Sequence, residues 1–160
     1  MKLQTKDRYP ASSDVVIKMF SDPDYHVKKM NKLGIKHEIL SSNTAGDEFT
    51  IKAKRYMPID ASGAVKKVLG ETTEVTNTES WHVSNKTGAV AVETKGVPLK
   101  MSCTGKMVDV GDECDVIYDW EINAKIPLVG GALEKFVAGD MQKSQAKELA
   151  VAHTLLADYK

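Results

Sequence analysis

The chemically versatile side chains of this chain are few and scattered. Its histidines are His26, His37, His82 and His153, and its cysteines are Cys103 and Cys114. No histidine stands at metal-ligand spacing from another histidine, a cysteine or a carboxylate on a shared predicted face, so no metal site is expected. No Ser-His-Asp set, phosphate loop or Gly-x-Gly-x-x-Gly fingerprint occurs, so neither catalytic residues nor a cofactor are expected. Cys103 would need a positioned base to act as a nucleophile. None is evident, and it reads as a small hydrophobe. Asp115, Asp119 and Glu121 look like carboxylates for acid–base work, but they alternate with apolar residues and fall on the wet face of a strand. Arg55 is the sharpest residue. Its charge cannot be shed, so on an apolar strand face it needs a carboxylate or phosphate. That partner is either a ligand's or an internal one such as Glu79, unless the head group reaches the rim. His37, also on an apolar strand face, is either a structural histidine or a cavity acid or base near neutral pH. His153 is expected on the outer side of the last helix.

These side chains must be positioned by a short list of elements. Lys2 to Tyr9 reads as a strand with Leu3, Thr5, Asp7 and Tyr9 on one face. Ser12 offers an N-cap for a helix carrying Val15, Val16, Met19 and Phe20. Asp22-Pro23 starts a second helix, which Gly34 closes. From Ile35 the period changes to two: Ile35, His37 and Ile39, then Phe49, Ile51, Ala53, Arg55 and Met57 after a turn at Asn43–Asp47. Ala61 to Leu69 has helical character, weakened by Gly63. Glu71 to Val83 is a polar strand whose two faces look alike. Strands from Ala89 and Met101 follow, with Gly111-Asp112 marking a hairpin. In the last strand Cys114, Val116, Tyr118, Trp120, Ile122, Ala124 and Ile126 alternate with polar residues. After Pro127 and the tight turn read at Gly130-Gly131, some 28 proline-free residues form one long helix. Its apolar stripe drifts from Leu133, Phe136 and Val137 to Leu149, Ala152 and Leu156.

Six sequential strands on short loops are antiparallel by default. Each has at most one apolar face, and only the last helix is long enough to cover it. The economical fold is α+β: a seven-stranded curved antiparallel sheet wrapped around a long C-terminal helix, with two short helices after strand 1. One helix cannot fill so bowed a sheet, so a cavity remains. The hairpin places Cys103 near Tyr118 or Trp120 and Cys114 near the turn, about 13 Å away at ~3.4 Å per residue, so two free thiols are expected. The 160 residues fit one domain, 1–160. The 22 basic residues balance the 22 acidic ones, which argues against a dedicated nucleic-acid binder. No stretch has the length of a membrane span and no secretory signal is visible, so a reducing cytoplasm is the expected setting.

Two segments go further than the pattern. Ile126-Pro127-Leu128-Val129-Gly130-Gly131-Ala132-Leu133-Glu134-Lys135 resembles the strand-to-helix junction of the bacterial domain of unknown function 2505 family. Tyr9-Pro10-Ala11-Ser12-Ser13-Asp14-Val15 followed by Phe20-Ser21-Asp22-Pro23-Asp24-Tyr25 resembles its opening, and Trp81 after an acidic, Thr-rich strand fits too. That family looks like a member of the START and birch-pollen-allergen (SRPBCC) superfamily, whose fold is the helix-grip. The resemblance implies a hydrophobic cavity between sheet and final helix, used in the superfamily for lipids, sterols, polyketides or plant hormones, with some members acting as cyclases, aromatases or hydrolases.

The candidate ligand-binding residues are the inward strand positions Phe49, Ile51, Arg55, Met57, Met101, Cys103, Tyr118 and Trp120, with Leu133, Phe136, Val137 and Met141 of the last helix. Singly each reads as core. Together they mix Arg55 and Tyr118 with methionine and aromatic groups, as ligand pockets do. The expected partner is therefore a hydrophobic or amphipathic small molecule, oriented by Arg55 or Tyr118 and admitted past the loops after Pro58 and Gly96 and the short helices near Tyr25. The alternative is an enzyme of polyketide cyclase or aromatase type in which His37, Arg55 and Tyr118 converge. A third reading, a filled core with an adaptor role for the outer sheet face, is expected if no cavity above ~300 Å³ exists.

Overall fold

The computed structural model describes residues 1–160. The elements in order are β1 (Lys2–Tyr9), α1 (Ser13–Phe20), α2 (Pro23–Lys32), β2 (Lys36–Ala45), β3 (Glu48–Pro58), α3 (Gly63–Leu69), β4 (Thr72–His82), β5 (Thr87–Thr94), β6 (Leu99–Val110), β7 (Glu113–Ala124) and α4 (Gly130–Leu156), then a turn of 3₁₀ helix. The seven strands form one antiparallel sheet in the order β1-β7-β6-β5-β4-β3-β2. Antiparallel connections make neighbours of β2 to β7, short ones except between β3 and β4, where α3 intervenes. The α1–α2 pair carries the chain from β1 across to the opposite edge. The curved sheet grips α4, about 40 Å long at 1.5 Å per residue.

Local chemistry explains the boundaries. Asp22 accepts a 3.0 Å bond from the Asp24 N–H at the start of α2, with Pro23 pre-setting its first turn. Ser12 makes no side-chain cap for α1. Ser13 is anchored instead, its N–H at 2.8 Å and its hydroxyl at 2.7 Å both donating to Asp109 of β6. Register follows the alternation: Cys103 pairs with Trp120 and Cys114 with Asp109 beside the hairpin, and both cysteines are free. Asp115 lies on the outer face with Asp119 and Glu121, yet it is buried, because the Arg8 guanidinium covers it through Nε to Oδ1 and Nη2 to Oδ2. The turn into α4 departs from the expected glycine geometry. Leu128 takes the left-handed conformation (φ +70°), whereas Gly130 is needed for a close approach: a Cβ there would meet the Ala124 carbonyl oxygen at 2.5 Å.

The core divides in two. One cluster joins Tyr9, Val16, Met19, Phe20, Tyr25 and Trp81 to the C-terminal end of α4 at Ala152, Leu155 and Leu156. The other joins Leu69, Leu99 and Ile122 to Leu133 and Ala138 near its start. Between Ala138 and Ala152 no α4 residue is fully buried.

Candidate functional site

The half-buried middle of α4 presents Met141, Gln145, Glu148 and Leu149 to a cavity of about 140 Å³. Its other walls are Thr5, Asp7 and Tyr9 of β1, Phe20, Tyr25 and Lys29 of the short helices, Arg55 of β3, Asn77 and Glu79 of β4, Val90 of β5, Tyr118 and Trp120 of β7, and Ala152. At ~30 Å³ per water this is room for about five waters, or for a ligand part the size of a benzene ring. A recess of about 40 Å³ between α2 and β3 shares Lys29, Arg55, Asn77 and Glu79 with the cavity and adds His26, Met30, Ile51 and Ala53.

Aromatic rings and five acidic or basic side chains, Asp7, Lys29, Arg55, Glu79 and Glu148, meet in this small space. Glu79 accepts a 2.8 Å hydrogen bond from Trp81 Nε1. Burial alone would raise its pKa, but His26, Lys29, Trp81 and Arg55 reverse that and hold it below the usual carboxylate range. His26 donates from Nε2 to the Phe20 carbonyl at 2.7 Å, and burial lowers its pKa despite the pull of Glu79. Burial opposes the Lys29 charge, yet Tyr25, Glu148 and Glu79 outweigh it and the ammonium persists. Its Nζ stands 5.4 Å over the Tyr25 ring, with no ion-pair partner. Arg55 Nη2 reaches Glu148 at 3.4 Å, while Arg55 Nε and Asn77 Oδ1 are buried without partners. Tyr118 is raised well above its ordinary value by burial and remains a neutral hydroxyl.

Burial raises the pKa of Asp7 against the hydrogen bond it accepts from Gln145, and Glu148 adds to the rise. A carboxyl with a raised folded pKa disfavours folding once it ionises. Asp7→Asn, which keeps the acceptor for Gln145, is therefore expected to raise Tm at pH 7, and the gain should vanish at pH 3, where both states are protonated. Thermal unfolding at the two pH values checks this.

Of the residues singled out in the sequence, Arg55, Tyr118, Trp120 and Met141 meet at the cavity and Ile51 at its recess. Phe49 is fully buried and stacks on His26 with centroids 5.8 Å apart. Leu133 anchors the second core cluster, with Met101, Phe136 and Val137 packed against it. Met57 is half-buried opposite Thr73. Cys103 is buried in register with Trp120, its thiol pushed up to about 12 by burial. His37 faces Arg55 across the β2–β3 pair but donates from Nδ1 to the Ile35 carbonyl and lines neither space. Lys29, Asn77, Gln145 and Glu148 escaped the sequence reading. The available signal was the spacing Met141, Gln145, Glu148, Ala152, a helical stripe with polar members where α4 must face the sheet.

The outer face of the sheet bears an open groove of about 750 Å³, floored by Ala89, Ala91, Ser102 and Thr104. No helix is long and apolar enough to cross a membrane.

A family model described as "Protein of unknown function (DUF2505)" matches residues 4–156. The chain belongs to this family. Among solved structures, the DUF2505 chain is similar to TTHA0849 from Thermus thermophilus (TM-score 0.68, 16% identity, 99% of this chain and 98% of that one). It is similar to a START superfamily protein from Mycobacterium smegmatis (TM-score 0.62, 14% identity, 99% of each chain). It is similar, too, to Thalictrum flavum norcoclaurine synthase (TM-score 0.65, 15% identity, 99% of this chain and 94% of that one). No curated protein matches the sequence. At these identities the likeness to solved structures is one of fold: this chain has the helix-grip fold of START-like proteins.

Proposed function

We propose that this DUF2505 protein is a carrier or sensor that encloses a small amphipathic ligand between the sheet and α4. The observation that carries this reading is the gap in the core. Both ends of α4 are sealed by apolar clusters, while its middle faces a cavity in which aromatic rings adjoin charged groups. A single packed core has no use for this arrangement, whereas ligand sites combine apolar walls with a few orienting polar groups. At about 140 Å³ the cavity falls short of the ~300 Å³ of a full ligand pocket, which on volume alone favours the filled-core reading; the carrier reading takes this space as the seat of a ligand's polar end and the first atoms of its apolar body. A longer body displaces Met141 and Leu149, which hold no buried position. The recess between α2 and β3 offers the way in.

Native mass spectrometry of gently purified protein tests the reading. A bound mass that is lost on denaturation is expected, and Leu149→Trp, which fills the cavity, should prevent it. A ligand-free spectrum, together with no thermal shift from fatty acids, sterols or aromatic polyketides, would sink the proposal. The cyclase-type alternative draws less support, because His37, although paired with Arg55 across β2 and β3, lines neither the cavity where Arg55 meets Tyr118 nor its recess.

A further inference from the structure

We propose that the enclosed ligand carries an anionic oxygen group, a carboxylate or a phosphate, which Arg55 and Lys29 hold in place of Glu148. This rests on the binding reading above and names the chemistry of the polar end.

The guanidinium of Arg55 is under-used. It has five N–H donors, and its side chain is only 16% exposed. Its one protein hydrogen bond is Nη2 to Glu148 Oε1 at 3.4 Å, past the usual 2.7–3.2 Å range. Nε is sealed from solvent with no acceptor at all. A buried donor left unpaired is costly, so its presence in a folded protein points to an acceptor that arrives from elsewhere. Lys29 lines the same cavity and recess and makes no hydrogen bond or ion pair. A planar fork of N–H groups beside a free ammonium fits a carboxylate or phosphate, which takes two guanidinium bonds side by side while the ammonium supplies a point charge.

The carboxylates already present differ in how firmly they are held. Glu79 is fixed by Trp81 Nε1 at 2.8 Å, and Asp7 accepts from Gln145. Glu148 has only the long contact to Arg55, sits in the unsealed middle of α4 and keeps a third of its side chain exposed. Rotation into water frees Arg55, and an incoming anion restores the charge that Glu148 withdraws. A cationic ligand would add a third positive charge beside Lys29 and Arg55. A neutral alcohol offers one weak acceptor for the whole fork.

A chain-matched series tests this: octanoate, octyl phosphate, octanol and octylamine, titrated calorimetrically at pH 7 into the full chain. Octanoate or octyl phosphate is expected to bind about tenfold tighter than octanol, the ~1.4 kcal/mol of one charge-assisted bond, and octylamine weakest. The stronger of the two anions identifies the head-group chemistry. Arg55→Gln should erase the preference. Glu148→Gln, at a helix position outside both core clusters, should tighten the anion several-fold relative to octanol. Equal binding of octanol and octanoate, tighter octylamine, or an anion affinity indifferent to Glu148→Gln overturns the proposal while leaving ligand enclosure standing. Failure of all four probes overturns both.

Discussion

Replacing Trp81 with alanine is expected to remove about 3–5 kcal/mol of stability, a large share of the ~5–15 kcal/mol that holds a domain of this size together. Trp81 is fully buried on β4, packs edge-on against Phe20 at 5.2 Å and Tyr118 at 6.4 Å, and donates to Glu79. Alanine therefore opens a void in the larger core cluster and strips a hydrogen bond from a carboxylate that needs it. The ring fits because the neighbouring strands carry no side chain beneath it. A Cβ on Gly105 would come within 2.9 Å of Trp81 Cη2 and 3.3 Å of the Tyr118 ring. A Cβ on Gly88 would lie 2.5 Å from Trp81 Cδ2 and 2.6 Å from the Ser80 carbonyl oxygen. Gly105→Ala and Gly88→Ala should each destabilise by about 1–3 kcal/mol through overpacking. In a Trp81→Phe background, which lacks the outer ring atoms, the Gly105→Ala penalty should shrink while much of the Gly88→Ala penalty persists, because a backbone carbonyl cannot withdraw. Urea denaturation followed by circular dichroism measures all of these. Equal penalties in both backgrounds would refute this account of the packing.

The same strand shows where the sequence was readable and where it was not. The period-two runs of β3 and β7, the Asp22-Pro23 cap and the proline-free last segment each point to one element, and short loops leave few ways to connect them, so the fold was legible throughout. The face of β4 was not, because Thr76, Thr78 and Ser80 on one side are scarcely more polar than Thr73, Asn77 and Glu79 on the other. Only pairing decides it: Phe49 opposite Trp81 and Ile51 opposite Glu79 turn the odd-numbered residues inward. Periodicity seeks apolar stripes, so it sent the early face of α4 to the cavity and overlooked a wall whose defining members are Lys29, Gln145 and Glu148. The Leu133 face is instead consumed by packing against Leu99 and Ile122. Arg55 was conspicuous because an arginine among apolar neighbours violates the pattern. Its partner was not, because Glu148 lies 93 residues away and meets it only when the sheet closes on α4.

Glu79→Gln is expected to cost about 1–3 kcal/mol, because it leaves the desolvated Lys29 and Arg55 without the carboxylate that offsets them across the cavity. Glutamine keeps an acceptor for Trp81 Nε1, so the loss isolates the charge that balances Lys29 and Arg55. The pH dependence identifies it. Because the folded pKa of Glu79 is held below its unfolded value, its contribution is complete above about pH 4.3 and disappears as pH falls through the folded value. The gap between wild type and variant should thus close in strong acid. A separate loss should begin below about pH 6.5, since the unfolded chain takes up a proton that buried His26 resists. That limb should persist in Glu79→Gln and be absent from His26→Gln. Urea midpoints at pH 8, 6, 4.5 and 3 trace both. Function should move against stability: with Glu79 neutral the cavity is more positive, so the variant is expected to bind octanoate more tightly than wild type while unfolding more readily. A variant as stable as wild type at pH 8, or one that binds octanoate less well, would show that Glu79 does not oppose the two cations.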